Sequence, residues 1–306
     1  MEKHDTPELA RTMLLLGRLD GRLQNSPATD IFLARARLEG AVALAGLAGV
    51  PIDVRSLQDW IAGRSPPPRA SEGLNDPISV SAVFHFAISR DEDTRDPVLR
   101  ATLNVLRSVL DDRAEAKTYG SDDLAYFGPM WRTIRDAVDL PFARADLLAI
   151  AHRVFELVAL TEPSSGDGSE IVAIDGRSLD LPPRARDRHW LIAAALPRML
   201  HRAGMTMRVI PSLVLLPKFL PPSPMALAEV LERALRKAIH AGLRDLDWIE
   251  REEARIRTGA QATKRSRAPL LSRLQIAYPG LQPKAVARLL SVSPQGARKL
   301  LTASSR

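Results

Sequence analysis

Gln295, Arg298 and Lys299 lie close together near the end of the chain, in AVARLLSVSPQGARKLL, residues 285–301. On a helix starting at residue 294 they share one face, because positions three and four apart are neighbours there. An amide, a guanidinium and an ammonium so placed suit hydrogen bonding to base edges and phosphate oxygens. Gln matches adenine bidentately, Arg matches guanine, and Lys or Ser suits phosphate.

Such side chains need a rigid mount, and the flanking residues predict one. Pro283 starts a first helix, and Ala287 supplies the small side chain where two helices cross. Ser291-Val292-Ser293 forms a turn with Val292 buried between the helices. Ser291 stands where glycine is usual, because that position favours positive φ. Ser293 can cap the second helix and Pro294 can occupy its first turn. Ala297 and Leu300 then face Val286 and Leu290, leaving Gln295, Arg298 and Lys299 outward. Gly296 costs about 1 kcal/mol of helix propensity relative to Ala, which either close approach to DNA or tolerance near a helix start would explain.

The charge distribution agrees with this chemistry. The net charge is +7, yet residues 254–306 hold eleven Lys or Arg and no Asp or Glu. The remainder carries 32 basic against 36 acidic residues, so the basic excess is entirely C-terminal. A one-signed patch of this kind attracts polyanions through counterion release. Within it, TGAQATKRSRAP (258–269) lacks apolar periodicity and is expected to be a basic linker, with Lys264, Arg265 and Arg267 tracking phosphates alongside Lys284. Leu270, Leu271, Leu274 and Tyr278 predict a short helix closed by Pro279-Gly280. Residues 270–306 are therefore expected to form a small domain whose removal leaves the rest folded.

The rest of the chain reads as mostly helical. Apolar positions recur at helical spacing through residues 8–63, with SPPPRASEGLNDP (65–77) as a proline-rich break. Helices are predicted over about 78–89, 96–111, 122–137, 143–160 and 186–203. Between the last two, Asp175-Gly176 suits a two-residue turn joining two short strands. VIPSLVLLPKFLPPSP is too proline-broken for regular structure. Ser223-Pro224 then starts a long amphipathic helix to about Ile256, with Leu227, Leu231, Leu235, Ala238, Gly242, Leu246 and Ile249 on one stripe. The expected fold class is all-α with at most one small β-hairpin. Its units are 1–64, 78–257, a 258–269 linker and 270–306.

Other chemistry finds little support. There is no cysteine, hence no disulfide scaffold and no thiolate metal site. His189, His201 and His240 are isolated on helices and read as structural or surface residues, and His152 as a core-edge residue. Arg90-Asp91-Glu92-Asp93 lacks ligand spacing. Glu250, Glu252 and Glu253 with Arg251 and Arg255 read as helix-surface pairs. No phosphate loop, HExxH or GxSxG occurs. The N-terminus lacks the layout of a signal peptide, and the most apolar stretch, LARARLEGAVALAGLAGVPI, is interrupted by Arg35, Arg37 and Glu39. The expected location is cytoplasmic, associated with the nucleoid, with no membrane partner, cofactor or metal.

SRLQIAYPGLQPKAVARLLSVSPQGARKLL resembles the helix-turn-helix domain that ends a family of uncharacterised proteins from rhizobia and related alphaproteobacteria, often plasmid-borne. RHWLIAAALPRMLHRAGMTMRVIPSLVLLPKFL resembles that family's domain of unknown function, and RLDGRLQNSPATDIFLARARLEGAVALAG also fits. The resemblance implies a DNA-binding role and brings no catalytic motif. RARLEGAVALAG and ALPRMLHRAGM are also similar to parts of Fic-type nucleotidyl-transfer proteins. Their HPFxxGNGR loop has no counterpart, since PPRARDRHWLIAAALPRM contains no glycine.

These readings favour a sequence-specific double-stranded DNA-binding protein, a transcriptional or plasmid-maintenance regulator that reads the major groove with residues 294–302. It is not expected to be an enzyme. Two alternatives stay open: a degenerate Fic-like nucleotidyl-transfer protein, and a protein-interaction module of a toxin–antitoxin or plasmid-maintenance system. A homodimer, or a protein or small effector on the helical region, is left open as well.

Overall fold

Helix α2 (Thr29–Leu47) is apolar around most of its circumference, broken by Asp30, Arg35, Arg37 and Glu39, and burial follows from that: Ile31, Phe32, Leu38, Ala41, Leu44 and Ala45 are almost solvent-free. In a computed structural model that describes residues 6–66, 76–89, 96–111, 128–162, 169–172, 178–181, 186–257 and 267–304, this helix is the axis about which the others pack.

Around it run α1 (Thr6–Asn25), α3 (Val54–Ile61), α4 (Pro77–Ser89) and α5 (Pro97–Asp111). They are followed by α6 (Gly128–Asp139), α7 (Leu147–Leu160), α8 (Arg186–Arg202) and α9 (Pro224–Arg257). The chain finishes with α10 (Ala268–Ala277), α11 (Pro283–Leu289) and α12 (Pro294–Ser304). Among the described residues the fold is all-α apart from one antiparallel hairpin, β1 (Ser169–Val172) with β2 (Ser178–Leu181), which pairs Ser169 with Leu181 and Val172 with Ser178. The Asp175-Gly176 turn lies outside the described residues, as does the Arg90–Asp93 run. Among the described residues no helix is long and apolar enough to cross a membrane.

Local chemistry sets the helix starts. Asp53, Asp146 and Ser223 each accept from a backbone N–H three residues on, at 2.8, 2.8 and 3.2 Å, which satisfies first-turn donors at α3, α7 and α9. Helix α9 has 34 residues and spans about 51 Å at 1.5 Å per residue. Leu227, Leu231, Leu235, Ile239, Leu246 and Ile249 are its buried stripe, and it packs on α1, α2, α7 and α10. Arg22 bridges from α1 to Asp247 and Glu250, and Arg35 of α2 pairs with Asp245 while lying over the Trp248 ring at 4.8 Å.

The proline-broken stretch is irregular, yet Ile210, Leu213, Leu215 and Leu216 are buried. It crosses α2 at Gly40, where a Cβ would stand 2.3 Å from the Pro211 carbonyl oxygen. Only a residue without a side chain lets the two backbones approach so closely.

The last three helices share this core. Leu271, Leu274, Ala277, Tyr278, Val286 and Leu289 belong to the same buried cluster as α2 and α5. Helix α10 packs on α2, α5 and α9, and α11 on α5. Polar contacts fix the docking. Arg273 forms an ion pair with Asp30 and lies 3.6 Å from Glu253. Gln58 Nε2 donates to the Ala277 carbonyl at 2.9 Å, and the Gln282 N–H donates to the Ala62 carbonyl at 2.8 Å. Of the expected 258–269 linker, 258–266 lies outside the described residues while Ala268 and Pro269 open α10, and the helices on its two sides are packed together.

Candidate nucleic-acid interface

Helix α11 ends in a paired turn that sequence alone makes plausible but does not require. The Ser291 N–H donates to the Arg288 carbonyl at 3.3 Å and the Val292 N–H to the Ala287 carbonyl at 3.0 Å. This is a Schellman closure, normally built on glycine in the left-handed region. Here Ser291 takes that role, with φ of 50°. Two side chains secure it from outside: Asn104 of α5 donates to the Leu289 carbonyl and to Ser291 Oγ, both at 3.3 Å, and Arg267 Nη1 donates to the Leu290 carbonyl.

Beyond the turn, the Gly296 N–H donates to Ser293 Oγ at 3.1 Å, so Ser293 caps α12 and Pro294 is its first residue. Ala297 is fully buried and Leu300 half-buried, packing α12 on α10 and α11. Val292, expected to be buried, is half-buried. A Cβ at Gly296 would sit 3.3 Å from Ser293 Oγ, so a side chain there would crowd the cap. That local reason stands beside the two offered by the sequence.

The outward face is as spaced. Ser293, Pro294, Gln295, Arg298 and Lys299 are exposed, Gly296 is half-buried, and Lys284 and Arg288 are exposed on α11. Arg298, Lys299, Lys284 and Arg288 have no ion pair among the described residues, whereas Arg273 and Arg255 of the same acid-free stretch are matched by Asp30 and Glu252. Arg267 is exposed but serves as the clasp on Leu290, not as a free linker cation. Lys264 and Arg265 lie outside the described residues.

Two histidines brace the backbone. His189 Nε2 donates to the Pro217 carbonyl at 2.5 Å and His201 Nδ1 to the Thr206 carbonyl at 3.0 Å. His152, expected at the core edge, is exposed, as is His240. Of the three glutamates read as helix-surface pairs, Glu252 pairs within α9, with Arg255. Glu250 reaches Arg22 and Glu253 faces Arg273, because α1 and α10 flank that end of α9. Among the described residues no cluster of acidic or histidine side chains could hold a metal ion.

Sequence reasoning missed a polar cluster beneath the interface. Arg37 of α2 is 1% exposed, and its Nη1 lies 3.5 Å from Asp96 Oδ2 at the start of α5. Tyr278, fully buried, meets Thr102 Oγ1 at 2.7 Å, and Thr102 donates its one proton to the Val98 carbonyl. The phenol is therefore the donor to Thr102. Burial pushes its pKa up to about 12, so it stays protonated. His85 of α4 lies beside Ser89, whose hydroxyl proton goes to the His85 carbonyl. Nδ1–H must then donate to Ser89 Oγ, and Nε2 is an acceptor without a donor among the described residues. The signals were present: Arg37 among the apolar residues of α2, and a histidine inside PISVSAVFHFAIS, which has no other ionisable residue. Arg37, His85, Ser89, Thr102 and Tyr278 are buried, and Asp96 is half-buried.

Desolvation, reinforced by the Arg37 charge, lowers the His85 pKa from 6.5 to about 3. Unfolded chains bind a proton below about pH 6.5 that the native state refuses until about pH 3, so stability falls as pH drops through that window. The slope from this one group is about 1.4 kcal/mol per pH unit. Urea unfolding of His85→Phe should therefore lose about 2 kcal/mol less than wild type between pH 6.5 and 5. Equal losses in the two proteins would show that His85 is not the proton-linked group.

Comparison of the chain with family models, with curated proteins and with solved structures finds no match.

Proposed function

We propose that the protein is a sequence-specific double-stranded DNA-binding protein, a transcriptional or plasmid-maintenance regulator, in which α11 and α12 form a helix-turn-helix and α12 enters the major groove. One observation carries the reading. A closed, left-handed turn at Ser291 and a capped α12 hold Gln295, Arg298 and Lys299 outward on a helix whose other face, at Ala297, is buried. Side chains fixed in this way can report base identity, whereas a cation on an unpacked segment can only follow backbone charge.

The test separates these two contributions. Preferred duplexes are selected from a random library with the full-length chain, and affinities are then measured on the selected and on random duplexes at several salt concentrations. Arg298→Ala is expected to cost about 1–3 kcal/mol on the preferred site and less on random DNA. Lys264→Ala should weaken all duplexes alike and reduce the salt slope by about one. Equal, sequence-independent losses for both variants would reduce the C-terminal region to a basic patch and remove the helix-turn-helix assignment.

A further inference from the structure

A cleft of about 450 Å³ opens between α5 and the α11–α12 turn. Its volume falls within the range of about 300–1,000 Å³ that small-molecule sites occupy. The floor is apolar: Ala101, Leu103, Leu289 and Leu290 are each less than a tenth exposed, and half-buried Leu270 adds a wall. Polar groups stand at the rim, namely Arg100, Asn104, Arg267 and Ser291. Both arginines lack a carboxylate partner among the described residues, and Arg267 gives one N–H to the Leu290 carbonyl out of the five a guanidinium carries.

The geometry points to a binding site for a small amphipathic carboxylate, its hydrocarbon or aromatic body on the leucine floor and its carboxylate between Arg100 and Arg267. Two features fix this ligand class. A fully hydrated anion would leave the apolar floor wet, and a neutral hydrocarbon would leave two guanidinium groups without a counter-charge. Charge-assisted hydrogen bonds to a carboxylate are about twice as strong as neutral ones, and arginine's planar fork takes a carboxylate with two parallel bonds.

The position gives occupancy a consequence. Asn104 and Arg267 are the side chains that hold the Leu289, Leu290 and Ser291 turn. A carboxylate bound on Arg267 is thus one contact away from the turn that leads into α12. The site stands whether or not α12 reads DNA, and it is tested without DNA.

Octanoate is titrated into the full-length protein by calorimetry, with octanol and inorganic phosphate as probes that lack the charge or the body. Hydrogen exchange across residues 289–296 is followed in parallel. Octanoate is expected to bind saturably at one site and to slow exchange at the turn, with octanol and phosphate at least about tenfold weaker. Arg100→Gln, at an exposed position, should weaken octanoate by about tenfold or more. Arg100→Lys should recover part of that loss, and Ala101→Leu should block the floor while leaving the charge in place. The assignment is overturned if octanoate shows no saturable binding at millimolar concentration, or if Arg100→Gln binds it as wild type does. Phosphate binding as tightly as octanoate would also overturn it, because the cleft would then be a general anion patch.

Discussion

A chain ending at residue 266 is expected to lose cooperative unfolding altogether, with no heat-absorbing transition in calorimetry and exposed apolar surface by dye binding. The linker-like composition of 258–269 predicts the opposite, a helical domain that survives removal of its appendage. Packing decides against survival. Leu271, Leu274, Ala277 and Tyr278 are fully buried, and the helices they cover include α2, the centre of the core. A fully buried leucine contributes about 1.5–3 kcal/mol, and the net stability of a protein is only about 5–15 kcal/mol. The deletion removes these side chains and also uncovers their partners on α2, α5 and α9. It leaves Asp30 without Arg273, and the Ala62 and Ser291-facing polar groups of α3 and α5 without their bonds. A truncated chain that melts cooperatively near the wild-type temperature would show the C-terminal helices to be an independent domain.

The second large effect lies at Asp96. Asp96→Asn is expected to destabilise the protein by about 1–3 kcal/mol, because it removes a carboxylate 3.5 Å from a guanidinium with almost no solvent access. Asn isolates the electrostatic part of the loss. Asp96 Oδ1 caps α5 by accepting from the Val98 and Leu99 N–H groups at 2.8 and 3.0 Å, and an asparagine oxygen caps equally well. The double variant Arg37→Met/Asp96→Asn should recover most of the loss, since a buried ion pair replaced by well-packed apolar volume is often neutral or better. Chemical denaturation of the wild type, both single variants and the double variant forms a closed cycle. A single Asp96→Asn variant within about 1 kcal/mol of wild type would show that Arg37 draws its compensation from elsewhere.

How legible all this was in the sequence depends on the range of the interaction. Helix α9 was readable from Ser223-Pro224 and a stripe of leucines because capping and amphipathicity act within one or two turns. The same holds for the Ser293 cap, where a short run of residue types decides the local backbone, whereas the turn at Ser291 also draws on Asn104 and Arg267. What stayed hidden was tertiary. Tyr278 reads as one more apolar position of α10 until Thr102, far away in the chain, is brought against it. Arg267 reads as one more linker cation until the Leu290 carbonyl is set within its reach. Arg37 interrupted an apolar run and so argued against a membrane span. The same oddity also marked an ion pair in the core, but no local rule names its partner. The outward face of α12 was legible as spacing, and what that face touches is the step the binding measurements take.

The docking of α10 onto α2 also governs how the chain can be made. Asp30 and its partner Arg273 are 243 residues apart, so at about 5–20 residues per second the ribosome needs roughly 12–50 s to deliver the second after the first. For most of that time the largely apolar α2 has no α9 to lie against, and for all of it no complete α10. The nascent protein therefore cannot close its core domain by domain from the N-terminus. It must hold a sticky central helix in a partial assembly until nearly the whole chain has emerged, and any interrupted synthesis yields a product fit for chaperones or proteases rather than a shortened working protein.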